Sequence, residues 1–318
     1  MLFKVLRLIR EEVRKLIFDE DGKYFPPIQL ILFLAVFGGV LIIGTAIGVG
    51  LIVALYGVNT FNAISNLNVT YPHFANSLWI LQTAGTTLPI FIGPILFALF
   101  IVKDPKEYIR SGFKFPWFLM VLVFAIMFIS SPVIELLSNI NQKMQLPHFL
   151  QWMRESEDNA QKLTSVLLQM KTIWDMLFDL IFIGLLTAIV EEFMFRGCLQ
   201  TIFEKWTKNS HAAIWITAIL FSAFHMEFFG FLPRMMLGVL FGYFVVYSGS
   251  IWTSVWAHFI NNGTAVIATY LYQQKITKIN PDDQHVFNYA GYIISLIIIL
   301  FLFWVYRNIA LGKKQVLL

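Results

Sequence analysis

Charge and thiol chemistry are both scarce in this chain. Of its 318 residues a single one is cysteine, Cys198, which excludes an internal disulfide and any cysteine-based metal cage within one chain. Charged residues make up 13% of the sequence against 58% hydrophobic ones, a balance that a soluble domain of this size does not keep in solution. There is no repeat of fixed period and no Gly/Ser or Pro-rich linker, so neither a repeat array nor loosely tethered modules are expected. Lys and Arg are absent between residues 56 and 77, which marks that loop as non-cytoplasmic if the chain crosses a membrane.

Long apolar runs are what the chain has instead. Segments able to cross roughly 30 Å of hydrocarbon occur at 28–55, 78–102, 117–137, 174–199, 212–228, 232–248, 251–272 and 286–306. The expected fold is all-α, a polytopic membrane helical bundle with about eight transmembrane helices. The fifth and sixth runs are short and separated only by the 230–233 turn, so one of them can be re-entrant. Four regions follow: a basic amphipathic N-terminal segment (1–27), three spans with a polar interfacial stretch (28–172), a four-span core (173–273), and a C-terminal span with its tail (274–318). Leu2, Leu6, Ile9, Val13 and Leu16 recur at helical spacing among Arg and Lys, the pattern of a helix lying on an anionic inner leaflet.

The Lys and Arg residues near the N-terminus, and Lys103, Lys106, Arg110 and Lys114 in the second loop, put both segments in the cytoplasm; with eight spans the C-terminus joins them. The 138–171 loop strains this rule, because it carries Lys143, Arg154, Lys162 and Lys171. The net charge of +4 is spread over membrane-flanking segments, so the expected partners are anionic lipids and not nucleic acid. The expected location is a prokaryotic cytoplasmic membrane.

Most intramembrane polar residues fall in 174–273. Glu191, Glu192 and Arg196 lie within the fourth run, where a charged side chain costs roughly 2.5–3.5 kcal/mol even on lenient insertion scales. Residues four apart share a helical face, so Glu192 and Arg196 can pair while Glu191 points roughly 100° away. Glu191 is thereby the acid left to face a polar cavity. The fifth run ends in Phe221-Ser222-Ala223-Phe224-His225, and the seventh holds His258 and Asn262, again four apart and able to present two donors from one face. Each set alone has a plain reading: a charge cluster holding helices together, a buried neutral histidine, or an interhelical hydrogen bond. Gly238 and Gly242 are expected to permit close helix packing, and His73, His148, His211 and His285 to lie in loops or at a helix start.

Taken together and in this order, Glu-Glu-x-x-x-Arg, Phe-x-x-x-His and His-x-x-x-Asn resemble the CAAX protease and bacteriocin-processing (CPBP, or Abi) membrane endopeptidases, the family that includes the Ras-converting CAAX endoprotease. The resemblance covers about a third of the chain and implies peptide-bond hydrolysis at the membrane. By it, Glu191 and His225 activate the attacking water, and His258 and Asn262 stabilise the oxyanion. It leaves open whether Glu191, His225 and His258 hold a Zn²⁺ or polarise water without metal; the absence of a His-Glu-x-x-His run and the unusual character of Asn as a zinc ligand favour the latter. The competing reading is a non-enzymatic scaffold or immunity protein that binds a peptide or regulator in the same cavity.

Overall fold

The computed structural model describes residues 24–281 and 286–316. The amphipathic segment expected at 1–18, and His285, lie outside them. Among the described residues the architecture is all-helical, as the apolar runs require, since backbone polar groups in hydrocarbon must be satisfied within the segment. The main helices are α1 (Pro26–Tyr56), α2 (Phe74–Ile101), α3 (Phe118–Ile129), α4 (Ser131–Gln142), α5 (Gln151–Leu167), α6 (Ile173–Thr207), α7 (Ser210–Phe224), α8 (Phe231–Ser248), α9 (Ile251–Gln273) and α10 (Tyr289–Val316).

The expected count of eight spans needs correction. Five helices are long and apolar enough to cross a membrane, namely α1, α2, α6, α8 and the 289–312 part of α10, and the α3–α4 pair makes a sixth if it counts as one bent span. The shortfall has two physical causes. Helix α7 has 15 residues, about 22 Å at 1.5 Å per residue, which is short of the hydrocarbon thickness. Helix α9 has 23 residues but spends its length on Thr253, Ser254, His258, Asn261 and Asn262, and so lacks the apolarity of a lipid-facing span.

The bend of 45° between α3 and α4 sits at Ser130-Ser131-Pro132. Pro132 has no N–H to give to the carbonyl one turn back. The Ser131 hydroxyl donates to Phe128 O instead, at 3.1 Å. Helix α6 is irregular in a different way, with π-helical turns at Leu180–Leu186 and Phe193–Leu199 on either side of the α-helical Thr187–Glu192. Such π-turns are frequent at functional sites.

Apolar side chains divide into two populations. Ile42, Ile43, Phe100, Phe128, Ile297 and Phe301 are exposed on the outside of the bundle, a lipid-facing surface that a water-soluble protein would bury. Inside, Phe33, Phe97, Val190, Phe195, Ile202 and Val245 form one core around α6. Leu119, Val123, Phe241, Phe244, Ala257 and Tyr306 form a second between α3, α8, α9 and α10.

The expected close approach at Gly238 and Gly242 is present. Arg196 Nη2 donates to Gly238 O at 3.0 Å, and Gln200 Nε2 donates to Gly242 O at 3.3 Å. Two side chains one turn apart on α6 thus read two carbonyls one turn apart on α8. A Cβ at Gly242 would stand 2.8 Å from Gln200 Oε1 and 2.9 Å from Ile214 Cγ2. Gly242→Ala is therefore expected to destabilise the folded protein by about 1–3 kcal/mol through overpacking, whereas Gly39→Ala, where nothing lies within 4 Å, should not. Thermal unfolding of the two variants in the same detergent checks this.

Candidate active site

The site is built from α6, the end of α7 and the middle of α9. Glu192 is fully buried and accepts three hydrogen bonds: Arg196 Nη1 donates to Oε1 at 2.8 Å, His258 Nδ1 donates to Oε1 at 2.9 Å, and the Ser254 hydroxyl donates to Oε2. Ser254 and His258 are four apart on α9, so one face of that helix delivers both. The Arg196 guanidinium is fully buried too, 4.5 Å over the Phe221 ring and 5.3 Å from the Phe241 ring centroid. Charge, cation–π contact and the Gly238 carbonyl offset part of its desolvation, while its Nε has no hydrogen-bond partner among the described residues.

Glu191 takes no part in that pair. Its side chain is buried, and among the described residues its Oε2 has no hydrogen-bond partner. Oε2 stands 3.9 Å from Nε2 of His225 and 3.9 Å from Nε2 of His258. The other nitrogen of each ring is committed. His225 Nδ1 lies 2.9 Å from Phe221 O; a carbonyl only accepts, so Nδ1 carries the proton. His258 Nδ1 faces a carboxylate already paired with Arg196, and the same argument gives it a proton. In their neutral forms both imidazoles turn an Nε2 lone pair toward Glu191 Oε2. Glu191 Oε2 and the two Nε2 atoms thus face one another without a direct hydrogen bond among them.

The His225 geometry follows from how α7 ends. Its backbone N–H bonds Ser222 O at 3.3 Å and Met226 N–H bonds Ala223 O at 3.0 Å, tightening the last turn. That leaves Phe221 O free for the ring of His225. Met226 is left-handed, with φ of 55°, and turns the chain into the 226–230 loop.

Residues 173–264 match the model of the family described as type II CAAX prenyl endopeptidase Rce1-like. That segment is similar to the Rce1-like family. It contains Glu191, Glu192, Arg196, His225, His258 and Asn262, and leaves residues 1–172 and 265–318 unmatched. An uncharacterized protein of Bacillus subtilis (strain 168), YpbD, is 29% identical over 111 residues, which are 34% of this chain and 52% of that protein. The chain therefore spans about half the length of this curated relative. No solved structure matches.

Within the Rce1-like segment the remaining expected residue, Asn262, stands apart from this cluster's hydrogen bonds. Its Nδ2 donates to Ile183 O at 3.4 Å, in the first π-turn of α6, and its Oδ1 accepts from Asn261 at 3.2 Å. His258 and Asn262 share a face of α9 but are tied to different partners, Glu192 and Ile183. Ser254 and Phe241 join the cluster from outside the expected set, and Phe221 joins it from the Phe-x-x-x-His pattern. Ser254 has a sequence signal, its spacing of four from His258. Phe221 contributes its carbonyl to His225 and its ring to Arg196, and Phe241 stacks on His258 at 5.3 Å.

The 226–230 loop is held from outside the Rce1-like segment. Asn141 of α4 donates to Phe228 O at 2.9 Å and accepts from Leu232 N–H at 2.6 Å; Glu157 of α5 accepts from Phe229 N–H at 3.0 Å. Burial pushes the Glu157 carboxyl above its ordinary range, and the Phe229 N–H opposes that. The polar 146–170 stretch is therefore a brace for the loop that follows His225.

Two imidazoles and a carboxylate, each imidazole donating through its far nitrogen, have the chemistry of a zinc-ligand set with its supporting partners. Their spacing does not close into one. Ligand atoms about 2 Å from a tetrahedral zinc lie about 3.3 Å from one another, shorter than the 3.9 Å separations here. Among the described residues no group of three or more His, Cys, Asp or Glu is arranged to hold a metal ion.

The buried pair supplies a stability test. Arg196→Met should destabilise by about 3–5 kcal/mol, because it strands the Glu192 carboxylate. Adding Glu192→Gln to that variant should recover part of the loss, a sign that stranded charge and not lost volume dominates. Unfolding of the two single variants and the double variant measures the coupling.

Proposed function

We propose that this chain is an integral membrane endopeptidase that hydrolyses a peptide bond at or within the bilayer, using water activated by Glu191, His225 and His258. The observation that supports it is the buried, unpartnered Glu191 Oε2 facing two imidazole nitrogens at 3.9 Å. Three acceptors around one point suit a water, which brings two protons and leaves one acceptor free to take more. The Rce1-like match over 173–264 supports protease chemistry independently of that geometry.

In this reading the water oxygen attacks the substrate carbonyl while its proton passes to Glu191. The carbonyl electron pair moves onto oxygen, and the oxyanion is met by Asn262 Nδ2 and by His258 Nε2, to which Glu191 lends the proton it took from the water until the intermediate collapses. Glu192 favours this protonation, because it already holds the opposite nitrogen of His258 at 2.9 Å. Collapse of the intermediate breaks the C–N bond, and the leaving amine recovers the proton from Glu191. Glu192 and Arg196 touch no reacting atom and serve as positioning residues. The reading is metal-independent, and its setting is a prokaryotic cytoplasmic membrane with both termini on the cytoplasmic side. The family description points to prenylated CAAX-type substrates.

The test is peptide cleavage by the purified full chain in lipid, with a farnesylated CAAX peptide and a mixture of membrane-protein peptides as probes. Glu191→Gln should lower turnover by at least about 10²-fold. Asn262→Ala should lower it by about 10²–10³-fold. Cleavage undiminished in Glu191→Gln overturns the mechanism, and peptide retained but never cut by the wild type favours the binding-only scaffold. A strong chelator should leave the rate unchanged; loss restored by Zn²⁺ would move the mechanism to a metal.

A further inference from the structure

A large cavity has a lining that does not include Glu191. It measures about 1080 Å³ and opens where several helices begin or end: Tyr24 and Gln29 at the start of α1, Ile101 at the end of α2, Glu204 and Lys205 near the end of α6, Ser210 at the start of α7, and Gly249 just past α8. Four of these five helices are long and apolar enough to cross a membrane. The cavity thus lies at one edge of the membrane-spanning bundle.

Its charge is unbalanced. Five cations line it, Lys103, Lys106, Arg110, Lys114 and Lys205, against the three acids Asp104, Glu107 and Glu204. Glu204 is already engaged, accepting from both Arg110 and the Ser210 hydroxyl. Lys205 lies 3.8 Å over the ring of the buried Tyr108, whose hydroxyl donates to Gln29 Oε1 at 2.6 Å. Among the described residues the side chains of Lys103, Lys106 and Lys114 have no ion-pair partner.

The segment that carries these cations is built to stay in place. Ile251 N–H donates to Arg110 O at 3.1 Å, the Ser250 hydroxyl donates to Gly112 O at 2.6 Å, and Trp252 Nε1 donates to Ser111 O at 2.9 Å. Arg110 is held left-handed, with φ of 58°, a conformation that persists in a non-glycine residue only when its surroundings determine it. Ile109 packs so tightly on α6 that a Cβ at Gly197 would stand 2.8 Å from its Cγ2. On the outer side Phe113 and Trp117 are 69% and 75% exposed, the position of aromatic anchors at headgroup depth.

From this arrangement we propose that the cavity is a binding site for a phosphate-bearing anion, presented by the headgroup of an anionic membrane lipid. A volume near the upper end of the usual ligand-site range, about 300–1,000 Å³, accommodates a headgroup, and basic pockets between membrane helices are suited to one. Backbone bonds hold the loop at 110–112 in place, so its exposed lysines are presented from a fixed base at the rim of the cavity. The site is independent of peptide hydrolysis.

The test uses the full chain in nanodiscs of phosphatidylcholine with or without phosphatidylglycerol, followed by mass spectrometry of the lipid retained after detergent extraction. A parallel arm follows thermal unfolding with inorganic phosphate in pure phosphatidylcholine. The wild type should retain phosphatidylglycerol in preference to phosphatidylcholine. Lys106→Gln with Lys114→Gln should weaken that retention about 25-fold, taking about fivefold for each basic residue. Lys275→Gln with Lys278→Gln, outside this cavity, should not weaken it, and circular dichroism of each variant verifies folding. Stabilisation by inorganic phosphate alone, lost in the Lys106/Lys114 variant, would support the same anion chemistry with a soluble source. Equal retention by all three proteins, or no response in either arm, overturns the proposal.

Discussion

Three side chains from two helices meet at one carboxylate. Glu192 sits where α6 and α9 touch, and its two oxygens receive Arg196 from its own helix and Ser254 and His258 from the other. Because a buried charge left without partners is so costly, α9 has little freedom to rotate or slide while all three bonds are kept. Arg196 extends the constraint to α8 through the Gly238 carbonyl and to α7 through the Phe221 ring. The orientation of both imidazoles toward Glu191 follows: one ring is tied to Glu192, the other to the carbonyl of the phenylalanine that covers Arg196.

Much of this was legible in the sequence, in proportion to how local each interaction is. The Glu192–Arg196 pair and the separateness of Glu191 follow from helical spacing alone, and so does the close packing at Gly238 and Gly242. His258 is different. Its commitment to Glu192 depends on the rotation of α9 against α6, a relation across 66 positions that periodicity in either helix does not contain. Ser254 was hidden for the same reason, although its spacing from His258 was visible. The brace from Asn141 and Glu157 onto the 226–230 loop spans 72 to 91 positions and left no local trace.

Sequence reading counted α9 as a full span and gave no sign of the π-turns in α6. Hydropathy counts apolar residues but does not know which are paid out to lipid and which to other helices. The π-turns of α6 occur in ordinary apolar sequence, Leu180–Leu186 and Phe193–Leu199, where nothing distinguishes an i→i+5 bond from an i→i+4 bond. The polar content of α9 is similarly a property of position: Ser254 and His258 are buried in the bundle, so the helix need not be apolar along its whole length to sit among its neighbours.

The end of α7 separates two design problems that would otherwise be coupled. Because the ring of His225 is tied to Phe221 O within the last turn, its tautomer is settled upstream of the left-handed Met226, by atoms of the same helix. The chain beyond Met226 can then vary in length and composition without altering which nitrogen of His225 is presented. Which nitrogen of His225 is presented is thus fixed one helical turn before the 226–230 loop begins, by atoms that the loop does not supply.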